Sequence, residues 1–191
     1  MGRTSKNRSH IISIASYLFW VRGYEAVGVN DICEKADINK GTLYHFFKTK
    51  QDVALEVIKI NQEKVLFFID QTKGKPGVQR VLAYFDMMMG AQMDECNVTD
   101  KFAGCPFGNL SAEMAGKSSA IRDAVNIFFG KMIEFISEAL GDSSTKKNTK
   151  VLATEIFTYW QGALLMSKTA NSMKPLSKAR TYTKNIFSSL T

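Results

Sequence analysis

The stretch GVNDICEKADINKGTLYHFFKTKQDV, residues 28–53, decides the fold. It reads as two helices of about two turns each, separated by the short turn Asp37-Ile38-Asn39. Ile32 and Cys33 face inward from the first, and Leu43, Phe46 and Phe47 from the second. Asn39 is placed to cap the second helix, because its side-chain oxygen can accept from backbone amides that lack a helical partner. That helix then presents Lys40, Thr42, Tyr44 and His45, all hydrogen-bonding groups. Gly41 removes a side chain where a partner's backbone can come close. A short helix with this first turn suits the major groove of a duplex, its N-terminal residues against base edges.

Outward from that segment the chain is helical in pattern. Prolines occur only at 76, 106 and 175, so long stretches are free of helix breakers. Apolar residues recur at helical spacing: Ile11, Ile14, Ala15 and Leu18; Val53, Val57 and Ile60; Val78, Val81, Leu82 and Phe85; Val125, Phe128, Phe129 and Met132. No stretch alternates with a period of two. The expected fold class is all-α, about nine helices, three small ones followed by longer ones. Gly23 ends the first helix and Lys48-Thr49-Lys50 opens the fourth. Gly74-Lys75-Pro76-Gly77 precedes a fifth that runs to about Gln92, and Asn97 to Gly108 is a loop. Gly141-Asp142-Ser143-Ser144 marks a further break, and Met173-Lys174-Pro175 leads into the last helix. The division expected is residues 1–50 for a helix-turn-helix domain and 51–191 for an effector-binding and dimerisation domain.

Charge agrees with that division. Of 25 Lys/Arg and 18 Asp/Glu in 191 residues, the first fifty hold eight and four. A quarter of the chain thus carries +4 of a net +7, which suits a polyanion; a solvated lysine-rich surface is the plainer reading. The 45% hydrophobic content excludes a disordered tail, a collagen-like fibre and a disulfide miniprotein. No apolar run approaches the ~18 residues of a membrane span, and the N-terminus lacks a secretory pattern, so no membrane association and a cytoplasmic location are expected. Cys33, Cys96 and Cys105 are an odd set without disulfide logic, and His10 and His45 share no metal-ligand spacing with them. No cofactor or metal is expected. No nucleophile elbow, phosphate loop or carboxylate pair appears, which argues against an enzyme.

The runs G-Y-x-x-V-G-V-x-D-I and A-D-I-N-K-G-T-L-Y-H-F-F-x-T-K, within residues 23–50, resemble the DNA-binding domain of the TetR family of repressors. The resemblance extends over the whole chain through its length and helical remainder. It departs at Gly28, where the family often carries Thr or Ser, and at Asp37, where a turn glycine is common. Asp tolerates the left-handed conformation, so the turn should be kept. The resemblance implies that Lys40, Thr42 and His45 face base edges, that Gly41 allows close approach, and that Tyr44 and Lys50 meet phosphates of a near-palindromic double-stranded operator. It also implies a homodimer formed through the last two helices, and a ligand cavity in the larger domain.

The segment FAGCPFGNLSAEMA, 102–115, and the run YWQGALLMSK, 159–168, resemble a subgroup of that family responding to electrophiles and oxidants, of the N-ethylmaleimide reductase repressor type. The resemblance places a reactive cysteine at Cys105 and a partner lysine at Lys168, with Phe107, Tyr159, Trp160 and Met88 as further effector residues. Independently, Pro106 suits a first helical position, so Cys105 stands at a helix N-terminus, whose partial positive charge favours a thiolate. Cys105 is alternatively a small buried hydrophobe, and Lys168 an ordinary exposed lysine. The aromatic and methionine residues of 51–191 fit a packed core and a ligand-lined cavity equally. A small-molecule-binding helical protein with vestigial DNA contacts is the alternative to a repressor released by an inducer or by thiol modification.

Overall fold

A computed structural model of the chain describes residues 3–141 and 149–189. Among them nine helices occur and no strand: α1 (Arg3–Arg22), α2 (Val29–Lys35), α3 (Lys40–Phe46), α4 (Lys50–Asp70), α5 (Gly77–Thr99), α6 (Pro106–Met114), α7 (Ser119–Gly141), α8 (Thr149–Ala170) and α9 (Lys174–Ser188). The expected ends of α1, α3, α4 and α9 follow from local chemistry. Gly23 takes a left-handed φ of 88° and closes α1 through its N–H on the Phe19 carbonyl. Asp37, at φ 51°, keeps the α2–α3 turn without a glycine. Asn39 caps α3 by accepting from the Thr42 amide at 2.8 Å. Thr49 and Asp52 cap α4 reciprocally, each accepting from the other's backbone N–H.

Helix α5 departs from the sequence pattern. It runs to Thr99 rather than about Gln92, and the loop shrinks to residues 100–105. The polar run after Gln92 reads as loop, yet Gln92 and Glu95 are both buried and extend the helix's inner face. Asp100 ends it in the left-handed conformation, φ 57°, with its N–H on the Cys96 carbonyl at 2.8 Å. The break expected at Asp142, Ser143 and Ser144 lies outside the described residues.

The chain divides into two compact units, and the division is not at residue 50. One unit joins Met1–Glu63 with Pro106–Asn126; the other joins Lys64–Cys105 with Ile127–Thr191. The first therefore includes α6 and the opening of α7 beside α1 to α3. Its core is Ile11, Ala15, Leu18, Ile32, Leu43, Val53 and Ala54. Phe47 is buried with them, whereas Phe46 is only partly covered. In the second unit α9 packs on α8 and α5, around Phe85, Met132, Ile136, Ile156, Trp160 and Leu164. The Arg180 guanidinium forks onto Asp86 at 2.5 and 2.9 Å, fixing α9 to α5, and the pairing holds the Arg180 pKa above its usual range. No described helix is long and apolar enough to cross a membrane.

Gly77 begins α5 where a Cβ would stand 1.9 Å from the Ala139 carbonyl oxygen. Because backbone cannot yield as a flexible side chain can, Gly77→Ala should destabilise the chain by about 1–3 kcal/mol. Thermal unfolding should then show a loss of several degrees, roughly 2–4 °C per kcal/mol at this size.

Candidate nucleic-acid interface and effector site

The first unit aims α3 outward. Leu43 and Phe47 are fully covered, so the opposite face of α3 is free: Lys40, Gly41, Tyr44 and His45 are exposed. Thr42 is half-buried, and its hydroxyl donates to Asn39 Oδ1 at 3.1 Å, sharing the oxygen that caps the helix. A side chain at Gly41 would approach that same oxygen at 3.2 Å, so glycine here protects the cap as well as leaving room for a partner. The His45 ring stands edge-on against Phe46, centroids 4.9 Å apart. Beside the start of α3, an open depression of about 700 Å³ is lined by Asn7, Glu34, Asp37, Asn39 and Thr42 among others. Glu34 and Asp37 give this depression two carboxylates, while Lys40 at the start of α3 is exposed.

Lys50 behaves differently from the expectation that it meets phosphate. Its ammonium turns inward and donates to the Tyr24 and Val27 carbonyls, both at 3.0 Å. It also lies 4.0 Å from the centre of the Tyr24 ring. Two of its three N–H donors thus hold the turn between α1 and α2. Burial, with Glu25 second, raises the Tyr24 phenol above its ordinary pKa. Gly28 carries no side chain to cap α2; Asp31 takes over, accepting from the Gly28 N–H at 2.7 Å and pairing with Arg22 at 3.0 Å. The Gly28 hydrogen bond, then Arg22, hold the Asp31 carboxyl below its usual range. On the other side of the turn, Glu113 of α6 accepts from the Glu25 N–H at 2.7 Å, and Lys117 pairs with Glu25. Lys117 keeps the Glu25 carboxyl below its ordinary value. Nothing in the motif spacing marked Glu113 as part of this turn; only the fold brings it there.

In the second unit the expected effector residues separate. Trp160 is fully buried, its ring stacked on Phe85 at 3.8 Å with planes 1° apart. Met88 is half-buried. Tyr159 is exposed and meets Tyr182 of α9 edge-on, so it lies outside the core that Trp160 occupies. Lys168 is exposed on α8. Cys105 immediately precedes Pro106, the first residue of α6, as the sequence implies, and the residue is 8% exposed. Burial drives the phenol of neighbouring Tyr84 far above its ordinary pKa, with Cys105 as the second cause. Phe107 is buried in the first unit, not the second. Gln92, missed by the sequence reading, clamps the loop before Cys105: its amide donates to the Gly104 carbonyl and accepts from the Gly104 N–H, both at 2.9 Å. None of the three cysteines forms a disulfide, and no cluster of potential metal ligands occurs among the described residues.

Two family models match the chain. One, described as bacterial regulatory proteins of the tetR family, covers residues 11–57. The other, described as the C-terminal domain of LmrA/YxaF-like transcriptional regulators, covers residues 81–182. The HTH-type transcriptional repressor NemR of Escherichia coli K12 is 23% identical over 190 residues, 94% of this chain and 92% of that protein. The HTH-type transcriptional regulator LmrA of Bacillus subtilis is 27% identical over 177 residues, covering 89% of this chain and 90% of that one. The crystal structure of reduced E. coli NemR superposes with a TM-score of 0.78 at 23% identity, over 94% of this chain and 96% of that one. A TetR transcriptional regulator from Legionella pneumophila gives 0.86 at 18% identity, over 97% and 98%. At these identities the structures establish a shared fold.

Removing the Lys50 ammonium orphans two carbonyls of the α1–α2 turn. Lys50→Ala should cost about 1.5–3 kcal/mol in urea unfolding, the range for hydrogen bonds from charged donors. It should also speed amide exchange across residues 24–35. Unchanged stability with weaker duplex binding alone would return Lys50 to a phosphate role.

Proposed function

The chain belongs to the TetR family of bacterial transcriptional regulators, and from that premise we propose that it is an operator-binding repressor whose recognition helix is α3. The observation that carries this reading is the outward first turn of α3, Lys40, Tyr44 and His45 exposed above a capped and buried base. Lys40, Thr42 and His45 read base edges, Gly41 permits close approach, and Tyr44 meets phosphate. DNA contact resides within residues 1–50, effector binding and dimerisation within 51–191.

A second copy of the chain supplies the other half-site, so that two recognition helices enter successive major grooves about 34–36 Å apart on a near-palindromic operator. The last two helices suit this pairing. Val151, Tyr159, Leu165 and Met166 are exposed along α8, and a Cβ built at Gly162 between them meets no atom, which lets another helix lie close. Leu190, a further apolar residue near the end of the sequence, lies outside the described residues. A small-molecule effector taken up by the 51–191 part shifts the pair toward a spacing that fits the operator less well. Cys105, with Lys168 as its expected partner, is the position where an electrophile would act on the same equilibrium.

Sequences selected from random duplex DNA should be near-palindromic, and binding should fall steeply with salt. On the selected duplex Tyr44→Ala should weaken binding to every sequence about five- to tenfold, the effect of one hydrogen bond. Lys40→Ala should instead relax discrimination at one position, worth about 1–3 kcal/mol. Retention of both affinity and discrimination in both variants would sink the assignment and favour a ligand-binding protein with vestigial DNA contacts. A thiol switch predicts that Cys105→Ser stays on the operator when the wild type is released by an electrophile such as N-ethylmaleimide. Release of both alike assigns the response to another group.

A further inference from the structure

The turn from α2 into α3 has the geometry of a glycine turn but no glycine. Two backbone bonds close α2: the Ile38 N–H reaches the Cys33 carbonyl at 3.0 Å, and the Asp37 N–H the Glu34 carbonyl at 3.2 Å. This pair of bonds sets position 37 left-handed, a place glycine ordinarily fills because it has no Cβ to crowd. Here it is Asp37, at φ 51°. An aspartate tolerates that conformation best when its side chain bonds nearby backbone. Asp37 lacks that compensation: it is exposed, and its carboxylate makes no hydrogen bond or ion pair with any described residue. Asn171, another left-handed residue, spends both ends of its amide on the Phe102 N–H and the Asp100 carbonyl. A side chain kept where glycine would be easier, and idle within the fold, points to a role outside it.

Its neighbours show what that role is. The open depression of about 700 Å³ beside α3 is lined by Glu34, Asp37, Asn39 and Thr42 among others, with Asn7 on the α1 side. Thr42 is one of the residues assigned to base edges, so a base that reaches it also meets Asp37. The Thr42 hydroxyl spends its hydrogen on Asn39 Oδ1 at 3.1 Å, which leaves Thr42 Oγ1 only lone pairs to offer. Asn39 Oδ1 already accepts twice, from the Thr42 amide and hydroxyl. The carboxylates of Asp37 and Glu34 can only accept. Around Thr42 the side-chain oxygens of α2, the turn and α3 are therefore all acceptors; the Asn7 amide, which also donates, comes from α1. In the major groove adenine N6 and cytosine N4 are the donors, whereas guanine O6 and N7 and thymine O4 accept.

We propose that Asp37 is a specificity-determining residue. Its carboxylate, with Thr42 Oγ1, accepts from the exocyclic amino group of a cytosine or adenine and rejects guanine and thymine at that position. Lys40 can only donate and reads the opposite kind of edge, so the two residues specify different positions of each half-site. This deepens the operator reading and rests on it.

Selection from random duplex DNA with the wild type, Asp37→Gly and Asp37→Asn tests the assignment. The wild type should demand cytosine or adenine at one position of each half-site, about tenfold over guanine or thymine. Asp37→Gly should lose that demand, and Asp37→Asn, which donates as well as accepts, should relax it. Every other position, including the one that Lys40→Ala relaxes, should keep its preference. On the selected operator, N4-methylcytosine or N6-methyladenine at that position puts a methyl where the groove-facing N–H stood and leaves the Watson–Crick pair intact. This should cost the wild type about tenfold and Asp37→Gly little. Asp37→Gly should also melt no lower than the wild type, since glycine suits a φ of 51°. An unchanged preference in both variants, equal loss of discrimination at every position, no penalty from the methylated base, or a lower melting temperature for Asp37→Gly would each overturn the inference while operator binding stands. A wild type that selects no duplex would instead retire the operator reading, and this inference with it.

Discussion

The reading helix depends on how the turn between α1 and α2 is fastened. Seven residues of α3 cannot hold themselves in one orientation, since a helix that short is marginal without tertiary support. Support comes from beneath and behind. The Lys50 ammonium, at the start of α4, ties down the Tyr24 and Val27 carbonyls and covers the Tyr24 ring. Glu113 holds the Glu25 amide from the other side. Gly23 is required by its left-handed φ of 88°, and a Cβ there would also displace the Glu113 carboxylate, whose nearer oxygen would stand 2.7 Å away. Position 113 thus belongs to the support of the DNA-facing element although it is ninety residues away in sequence.

The second unit places its polar groups by a different logic. Gln92 is buried against the loop before Cys105, where one side-chain amide meets both the amide and the carbonyl of Gly104. Asn171 does the same for Phe102 and Asp100 at the end of α8. The loop holding Cys105 is therefore fixed by one side chain from α5 and one from the residue just after α8, and Cys105 itself is buried.

Helix starts and stops were legible because they are local. Gly23, Pro106 and Pro175 act through their own backbones, Asn39 and Thr49 through side-chain oxygens a few residues from the amides they cap, and each stands at the element end its chemistry implies. What sequence could not give is non-local. The extension of α5 past Gln92 follows from burial of Gln92 and Glu95, polar residues that periodicity counts as surface. Lys50 is expected at phosphate through the family resemblance; the carbonyls onto which the fold turns its ammonium lie 26 and 23 residues earlier, a contact that no local spacing records. The compact units cross the boundary at residue 50 because α6 shares its core with α1, an association between distant segments that no local punctuation records.

Charge counted along the sequence is also not charge offered to a partner. The +4 of the first fifty residues is the simplest hint of a polyanion, but the fold spends much of it internally. Arg8 pairs with Glu56 at 2.7 Å and stands over the Phe47 ring; Arg22 pairs with Asp31; Lys50 serves the turn. Lys35, Lys40 and Lys48 remain exposed around α2 and α3. The internal pairs are worth little individually at a surface, yet each fixes a side chain that frames α3. A regulator that must distinguish one operator gains from this arrangement. Cations held in the scaffold preserve the geometry on which base reading depends, whereas attraction to phosphate is common to every sequence.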